Sequence, residues 1–595
     1  MIKRPVYFVF FVAIAFASCS GNKTHEDNKT EQRTAKGDRV YGGTFRFGMT
    51  DTYQTLYPLK ITDVGSAHIA SQIYEGLVKF DSRDLSIIPA IAEKWEMDAA
   101  GTTLIFHLRK DVKFQDDVCF ENGKGRLLNA KDVQYSFEQL CSASPDNTSF
   151  ETILKDVVSG ANEYYEASKK GKPTKDLEGL KIIDDYTISI QLLKPTSSFL
   201  SSLTSPGAYI IAKEALEKYG VNMKIGTGAF RVADDSKPTE RILLSRNLNY
   251  YGKDTLGNAL PFLDTLSVSF YTTKQLELEQ FQNGPLSFVW GLPAESIKDM
   301  VENQISDFNK TPPKYILDRS PEMSTQYYTF NSSKVPFNNL KVRQAFSYAI
   351  NRSAIVENIL RGEAFGPGIN GITPSSFKGY KLDSGSGYEY NPAKAKKLLA
   401  EAGYPDGKDF PTVKLKLNSG GSRNTNVAIE IQKQLQSVLG IYLDFSNVSF
   451  KQKLDDESHG NGDLFRSAWI ADYPSPENFL LLFYGKSVPE NPNAASFPNT
   501  SRYKNKDFDK LFEAGRSSKT QEEAYKNFIA AEQIMMKDAP IIVLWYDENW
   551  RLTKSNVHNL HCNPMTYYDF SQVYIQEPVP ETAKPVRKKA EKSSN

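Results

Sequence analysis

One stretch of this chain is long and apolar, and it lies at the very start. Val6 to Ala17 carries no charge, follows Lys3 and Arg4, and runs into Phe16-Ala17-Ser18-Cys19. A helix needs about 20 apolar residues to cross the hydrocarbon core of a bilayer. The segment is shorter than that, and its charged beginning and small-residue end fit an export signal. No later stretch is long and apolar enough for a membrane helix, so the rest is expected to be a soluble body carried across a membrane. At 595 residues that body calls for two to four lobes, each with its own core. Lys+Arg of 72 against Asp+Glu of 71 leaves no electrostatic footprint for nucleic acid.

The position of Cys19 directly after small residues resembles a bacterial lipobox, in which this cysteine becomes the lipidated first residue after cleavage of 1–18. Ordinary signal cleavage with an incidental Cys19 is the alternative. Residues 19–40 are almost wholly polar and cannot offset the entropy of ordering, so they read as a flexible tether. With about 20 residues its root-mean-square reach is roughly 25 Å. The tail 577–595 reads the same way, as a solvated segment with a basic cluster at Lys584, Arg587, Lys588, Lys589 and Lys592.

From Tyr41 onward, short apolar strands alternate with amphipathic helices, the pattern of mixed α/β lobes. In Thr103 to Arg109, Leu104, Phe106 and Leu108 share one face, which predicts a half-buried strand. Asn129 is placed to cap a helix bearing Val133, Phe137 and Leu140. Asn391 and Pro392 open another helix, with Ala395, Leu398, Leu399 and Ala402 as its apolar stripe and Gly403 as its end. Ile541 to Trp545 reads as a strand buried on both faces. A bridge between Cys119 and Cys141 is compatible with export, but sequence does not fix it, and Cys562 remains odd.

A set of landmarks then carries a resemblance. They are Leu56-Tyr57-Pro58, Tyr74-Glu75-Gly76-Leu77, Ala92-Glu93-Lys94-Trp95, Phe106-His107-Leu108-Arg109 and Ala130-Lys131-Asp132-Val133. Further on come Gly226-Thr227-Gly228, Arg246-Asn247, Tyr250-Tyr251-Gly252, Phe330-Asn331, Val342-Arg343-Gln344-Ala345-Phe346 and Ala349-Ile350-Asn351-Arg352. In order and spacing these resemble the family 5 extracellular solute-binding proteins, the binding components of ABC importers for oligopeptides, dipeptides and nickel. Tyr57 and Ala229 depart from the residues usual there, and the loop from Gln115 to Asn129 is longer than usual. The resemblance implies an α/β, periplasmic-binding-protein-like, two-lobe (type II, Venus-flytrap) fold with an extra inserted domain. Lobe I would comprise 41–75, 196–322 and 545–576, the inserted domain 76–195, and lobe II 323–544, with crossing strands near Tyr327 to Asn331 and Ile541 to Tyr546.

Function follows from the same resemblance. Asp472, within Ala468-Trp469-Ile470-Ala471-Asp472-Tyr473-Pro474, resembles the aspartate on which oligopeptide binders hold a ligand's ammonium, with Trp469 and Tyr473 as wall or core. A binder of many peptides has to grip what all of them share: ammonium, main-chain amides and carboxylate. That Asp472 instead caps a turn before Pro474 stays open. The expected partners are a peptide, a permease with its ATPases, and a membrane reached through the lipid anchor, at the periplasmic or cell-envelope face. A monomer without cofactor is expected. Catalysis finds no support in the motifs: Gly226-Thr227-Gly228 lacks the Gly-Lys-Ser/Thr of a phosphate loop, and no G-x-S-x-G elbow occurs. His25, His68, His107, His459, His558 and His561 form no HExxH zinc site, and their scarcity weakens nickel or haem as cargo. A peptide- or oligosaccharide-sensing receptor and, more remotely, an envelope hydrolase are the competing readings.

Overall fold

The computed structural model describes residues 33–577 apart from 51, 172, 293–295, 297–304, 378, 384 and 419–421. Cys19, the export segment 1–18 and the tail beyond residue 577 lie outside the described residues. An eleven-stranded sheet is the frame. Its strands are Thr44–Met49 (β1), Phe230–Asp234 (β2), Arg241–Arg246 (β3), Thr265–Phe270 (β4), Phe288–Trp290 (β5), Tyr315–Phe330 (β6), Ala364–Pro367 (β7), Val413–Asn418 (β8), Leu443–Val448 (β9), Leu464–Ile470 (β10) and Ile541–Lys554 (β11). They are ordered β2-β3-β4-β1-β5-β11-β6-β10-β8-β9, with β7 against β11.

The two central strands explain the two lobes. β6 has 16 residues and β11 has 14, and they pair antiparallel along most of their length. The first half of β6 and the second half of β11 lie with β5 and β1, while Ser324 to Phe330 pairs with β10. Between Pro321↔Glu548 and Thr325↔Tyr546 the register slips, so Glu322, Met323 and Ser324 oppose Asp547 alone. That bulge divides the part of the β6–β11 pair beside β5 from the part beside β10. Strand β11 continues nine residues past Trp545, where the buried Asp547 and Arg551 are held by hydrogen bonds. The cores divide accordingly. One cluster holds Phe45, Phe47, Leu266, Val268 and Phe288, and another holds Tyr328, Phe330, Leu415, Leu435, Leu464 and Ile542.

The segment expected as an inserted domain builds its own antiparallel sheet, in the order Ala92–Met97, Thr103–Leu108, Thr187–Gln191, Leu180–Asp184. Leu104, Phe106 and Leu108 are buried and Ile105 and His107 half-buried, as alternation requires. That buried face belongs to the same cluster as Phe45 and Phe47, so the inserted sheet and the first lobe share one continuous core. Asn129 caps the helix Ala130–Leu140 through a capping box with Asp132, and Asn391 caps Pro392–Glu401 through the Lys394 N–H.

The motifs quoted above meet in space. Glu75 is buried and accepts from Thr227 Oγ1 at 3.1 Å, Tyr250 Oη at 2.9 Å and Tyr251 Oη at 2.9 Å, which joins three distant landmarks on one carboxyl. Gly226 and Gly228 permit the approach, since a Cβ on either would lie 2.3 Å or 2.5 Å from the carbonyl oxygens of Ile73 and Gln72. Arg352, fully buried, donates to the carbonyls of Val543, Ser347, Ile350 and Tyr388.

One expectation needs correction, and the Cys119–Cys141 pairing that sequence left open is not formed. Residues 33–40 are not tether: Arg33–Thr34 pairs with Val40–Tyr41, Lys36 N–H donates to Asn258 Oδ1, and Arg39 pairs with the buried Asp254. Those fixed polar partners supply what the composition of the segment lacked. Cys119, Cys141 and Cys562 are all free thiols; Cys141 is buried at the end of its helix, and Cys562 lies against Ser320 Oγ at 3.3 Å.

Candidate functional site

The lobe-II half of the site is one strand edge. Strand β10 pairs with β6 along its whole length, from Leu464↔Phe330 to Ile470↔Ser324. On its other side it meets β8 only at Leu464 and Phe465. Beyond Phe465 that side has no strand partner among the described residues. Ala471 N–H donates to Met323 O at 2.9 Å, so alternation turns the main-chain groups of Ala471, Trp469 and Ser467 toward β6. Those of Arg466, Ala468 and Ile470 therefore point to the open edge. The same period places the side chains of Arg466, Ala468, Ile470 and Asp472 on one face. Ile470 is an apolar side chain 61% exposed on that face.

Asp472 stands at one end. Its carboxylate oxygen Oδ2 accepts from Asn478 Nδ2 at 3.1 Å, and its own N–H donates to Asn478 Oδ1 at 3.0 Å. Its side chain thus bonds Asn478 rather than the backbone of the turn; within the turn Ser475 N–H reaches Tyr473 O at 2.8 Å. Asp472 keeps an exposed surface while being crowded by protein, as a residue at the wall of a concavity does. The crowding raises its pKa, opposed by the Asn478 hydrogen bond, and no cation is among the groups that act on it. Trp469 projects to the opposite face, is half-buried beside Ala471 and Phe479, and donates Nε1–H to Asn478 Oδ1 at 2.7 Å. Tyr473 is half-buried, and burial followed by the nearby Glu477 lifts its hydroxyl well above the usual range.

Two arginines that the sequence reading did not single out occupy the other end. Arg466 donates to Gln326 Oε1 at 2.5 Å and to Asn418 Oδ1 at 3.3 Å. Arg423, in the first turn of the helix Ser422–Leu439, lies 5.8 Å from the Trp545 ring and reaches Glu363 at 3.4 Å. Desolvation and then the field of Arg423 draw the Arg466 pKa down, so the two guanidiniums share one neighbourhood. The usable signal was the period of two that links Arg466 to Asp472. In Leu464-Phe465-Arg466-Ser467 a lone arginine carries no motif of its own. Glu322, at the crossing bulge, is pushed up to about 7 by burial and by Asp547, against the pull of Arg551, Asn549 and Arg423.

Residues 86–491 match the family described as bacterial extracellular solute-binding proteins, family 5 Middle. The chain belongs to this family. Among its relatives, the periplasmic oligopeptide-binding protein OppA of Escherichia coli (strain K12) is 29% identical over 515 residues, 84% of this chain and 86% of that protein. The dipeptide-binding protein of the same organism is 26% identical over 523 residues, covering 86% and 91%. Heme-binding protein A of Haemophilus influenzae is 28% identical over 571 residues, covering 94% and 97%. Among solved structures, the ABC transporter-associated periplasmic binding protein DppA from Helicobacter pylori, in complex with the peptide STSA, superposes with a TM-score of 0.70 at 25% identity, over 91% of this chain and 99% of that one. The family 5 fold is the two-lobe type II arrangement, and in this chain the long strands β6 and β11 lie at the centre of the main sheet. Among the described residues no helix is long and apolar enough to cross a membrane, and no cluster of histidine, cysteine and carboxylate side chains could hold a metal.

Proposed function

We propose that this family 5 protein captures peptides between its lobes and delivers them to an ABC permease, without catalysis and held at the membrane by a lipid on Cys19. What carries the reading is the open edge of β10, with a carboxylate at one end and two guanidiniums at the other. An extended peptide laid along it would exchange main-chain hydrogen bonds with Arg466, Ala468 and Ile470, as an added strand does. The small Ala468 leaves side chains of the ligand room. Asp472, steadied by Asn478 and through it by Trp469, would take the ammonium, and Arg466 and Arg423 the carboxylate. Six residues of extended chain, the sequence separation of Arg466 and Asp472, span about 20 Å. That sets the upper size for a ligand held at both ends.

Main-chain recognition has a direct test. A peptide N-methylated at amides that face β10 should bind about tenfold more weakly for each bond removed, while methylation in the alternate register should do little. Equal effects in both registers would reject strand addition. The likeness to Heme-binding protein A makes haem the second ligand to titrate. A Soret shift at stoichiometric haem that peptide does not displace would favour it.

A further inference from the structure

The two crossing strands carry a hydrogen-bonded chain that ends on Arg466. At the bulge, Asp547 is buried and receives three donors: Ser324 Oγ at 2.6 Å and Gln326 Nε2 at 2.6 Å on Oδ2, and Trp545 Nε1 at 2.9 Å on Oδ1. Gln326, also buried, turns its other amide atom, Oε1, to the Arg466 guanidinium at 2.5 Å. The orientation of that amide is forced by its neighbours. An ionised carboxylate only accepts and a guanidinium only donates, so the NH2 of Gln326 must face Asp547 and its oxygen must face Arg466. Among the described residues Arg466 Nε has no partner, and its second terminal nitrogen reaches Asn418 only at 3.3 Å, so Gln326 is the principal constraint on the guanidinium plane.

We propose that Asp547 is a positioning residue: by fixing the amide of Gln326 it aims the Arg466 guanidinium at the ligand's carboxylate. The inference rests on the reading that Arg466 receives that carboxylate. It also explains why a carboxylate sits at the crossing, where three residues of β6 oppose one of β11. In Asp547→Asn the side chain keeps its shape and loses one acceptor. With its oxygen kept on the Trp545 N–H, the new amide puts its NH2 against Gln326, which turns over and presents its own NH2 to a guanidinium that cannot accept. Gln326→Leu removes the link from the other side.

The test pairs each variant with a peptide carrying a free carboxyl terminus and with its C-terminal amide. Asp547→Asn and Gln326→Leu should each weaken the free-acid peptide about tenfold and leave the amide's affinity unchanged, which also reports that the variants fold. Equal losses for both peptides, or no loss for either, would overturn the positioning role. A second readout needs no ligand: in arginine-labelled protein, rotation of the Arg466 guanidinium about Nε–Cζ should be slow in the wild type and fast in both variants. Unchanged rotation refutes the inference by itself. If amidation does not affect the wild type while rotation changes as stated, the failure belongs to the carboxylate reading and not to the positioning.

Discussion

Replacing Asp472 by alanine separates a ligand anchor from a local structural residue. Among the described residues the carboxylate has one side-chain partner, the neutral amide of Asn478 at 3.1 Å, and the protein crowded around its still exposed side chain disfavours its charged form. A ligand ammonium would therefore meet a carboxylate that no protein cation compensates, and lobe closure would shield the pair from water. Breaking such a contact leaves a desolvated charge alone, which costs roughly 3 kcal/mol or more, over a hundredfold in affinity. Acetylating the peptide's amino terminus removes the same contact from the other side, so the two losses should not add. Titration calorimetry on the four combinations of wild type, Asp472→Ala, free peptide and acetylated peptide measures the coupling. A purely local Asp472 would change stability by about 1 kcal/mol and leave the preference for a free amino terminus intact. Additive losses, or equal wild-type affinity for the acetylated peptide, would refute the reasoning.

Other outcomes follow from the same structure. Glu75→Leu strips the acceptor from the buried Thr227 hydroxyl and from those of the half-buried Tyr250 and Tyr251 and should destabilise the fold by on the order of 3 kcal/mol in urea denaturation, against about 1 kcal/mol for Tyr250→Phe; a Glu75→Leu loss below that of Tyr250→Phe would contradict the cluster's role. Glu322, pushed up to about 7, is protonated in the folded protein at pH 5 to 6, where the unfolded chain is already ionised, so its contribution to stability is fully present below the ordinary carboxylate range and lost as pH rises through 7. Relative to wild type, Glu322→Gln should gain stability between pH 5 and pH 8, by at most about 3 kcal/mol and less to the extent that water reaches the group; a difference that does not vary with pH would argue against the shift. Cys19→Ala should move the protein to the soluble fraction, and continued membrane retention after signal cleavage would oppose lipid anchoring.

Local periodicity and capping made several elements legible. The strand at Thr103, the helices behind Asn129 and Asn391, and the strand at Ile541 all follow from alternation, stripe or cap within a few residues. What escaped the reading depends on partners distant in sequence. Buried Asp547 and Arg551 make β11 look as if it ends at Trp545, because the hydrogen bonds that satisfy them come from Ser324, Gln326 and Asn563. The hairpin at Arg33 is held by Asp254 and Asn258, more than 200 residues away, and composition alone presents it as tether. In the candidate site, Asp472 was found through a motif. Arg466 and Arg423 were not, since only the fold brings the helix at Ser422 beside β10 and leaves that edge free.

Native mass spectrometry of the protein purified from its host, followed by identification of what it carries, tests the central claim most directly. The account predicts peptides of about six residues or fewer with free amino and carboxyl termini, released when Asp472 is replaced by alanine. A bound haem, oligosaccharide or other non-peptide solute, unaffected by that substitution, would contradict it.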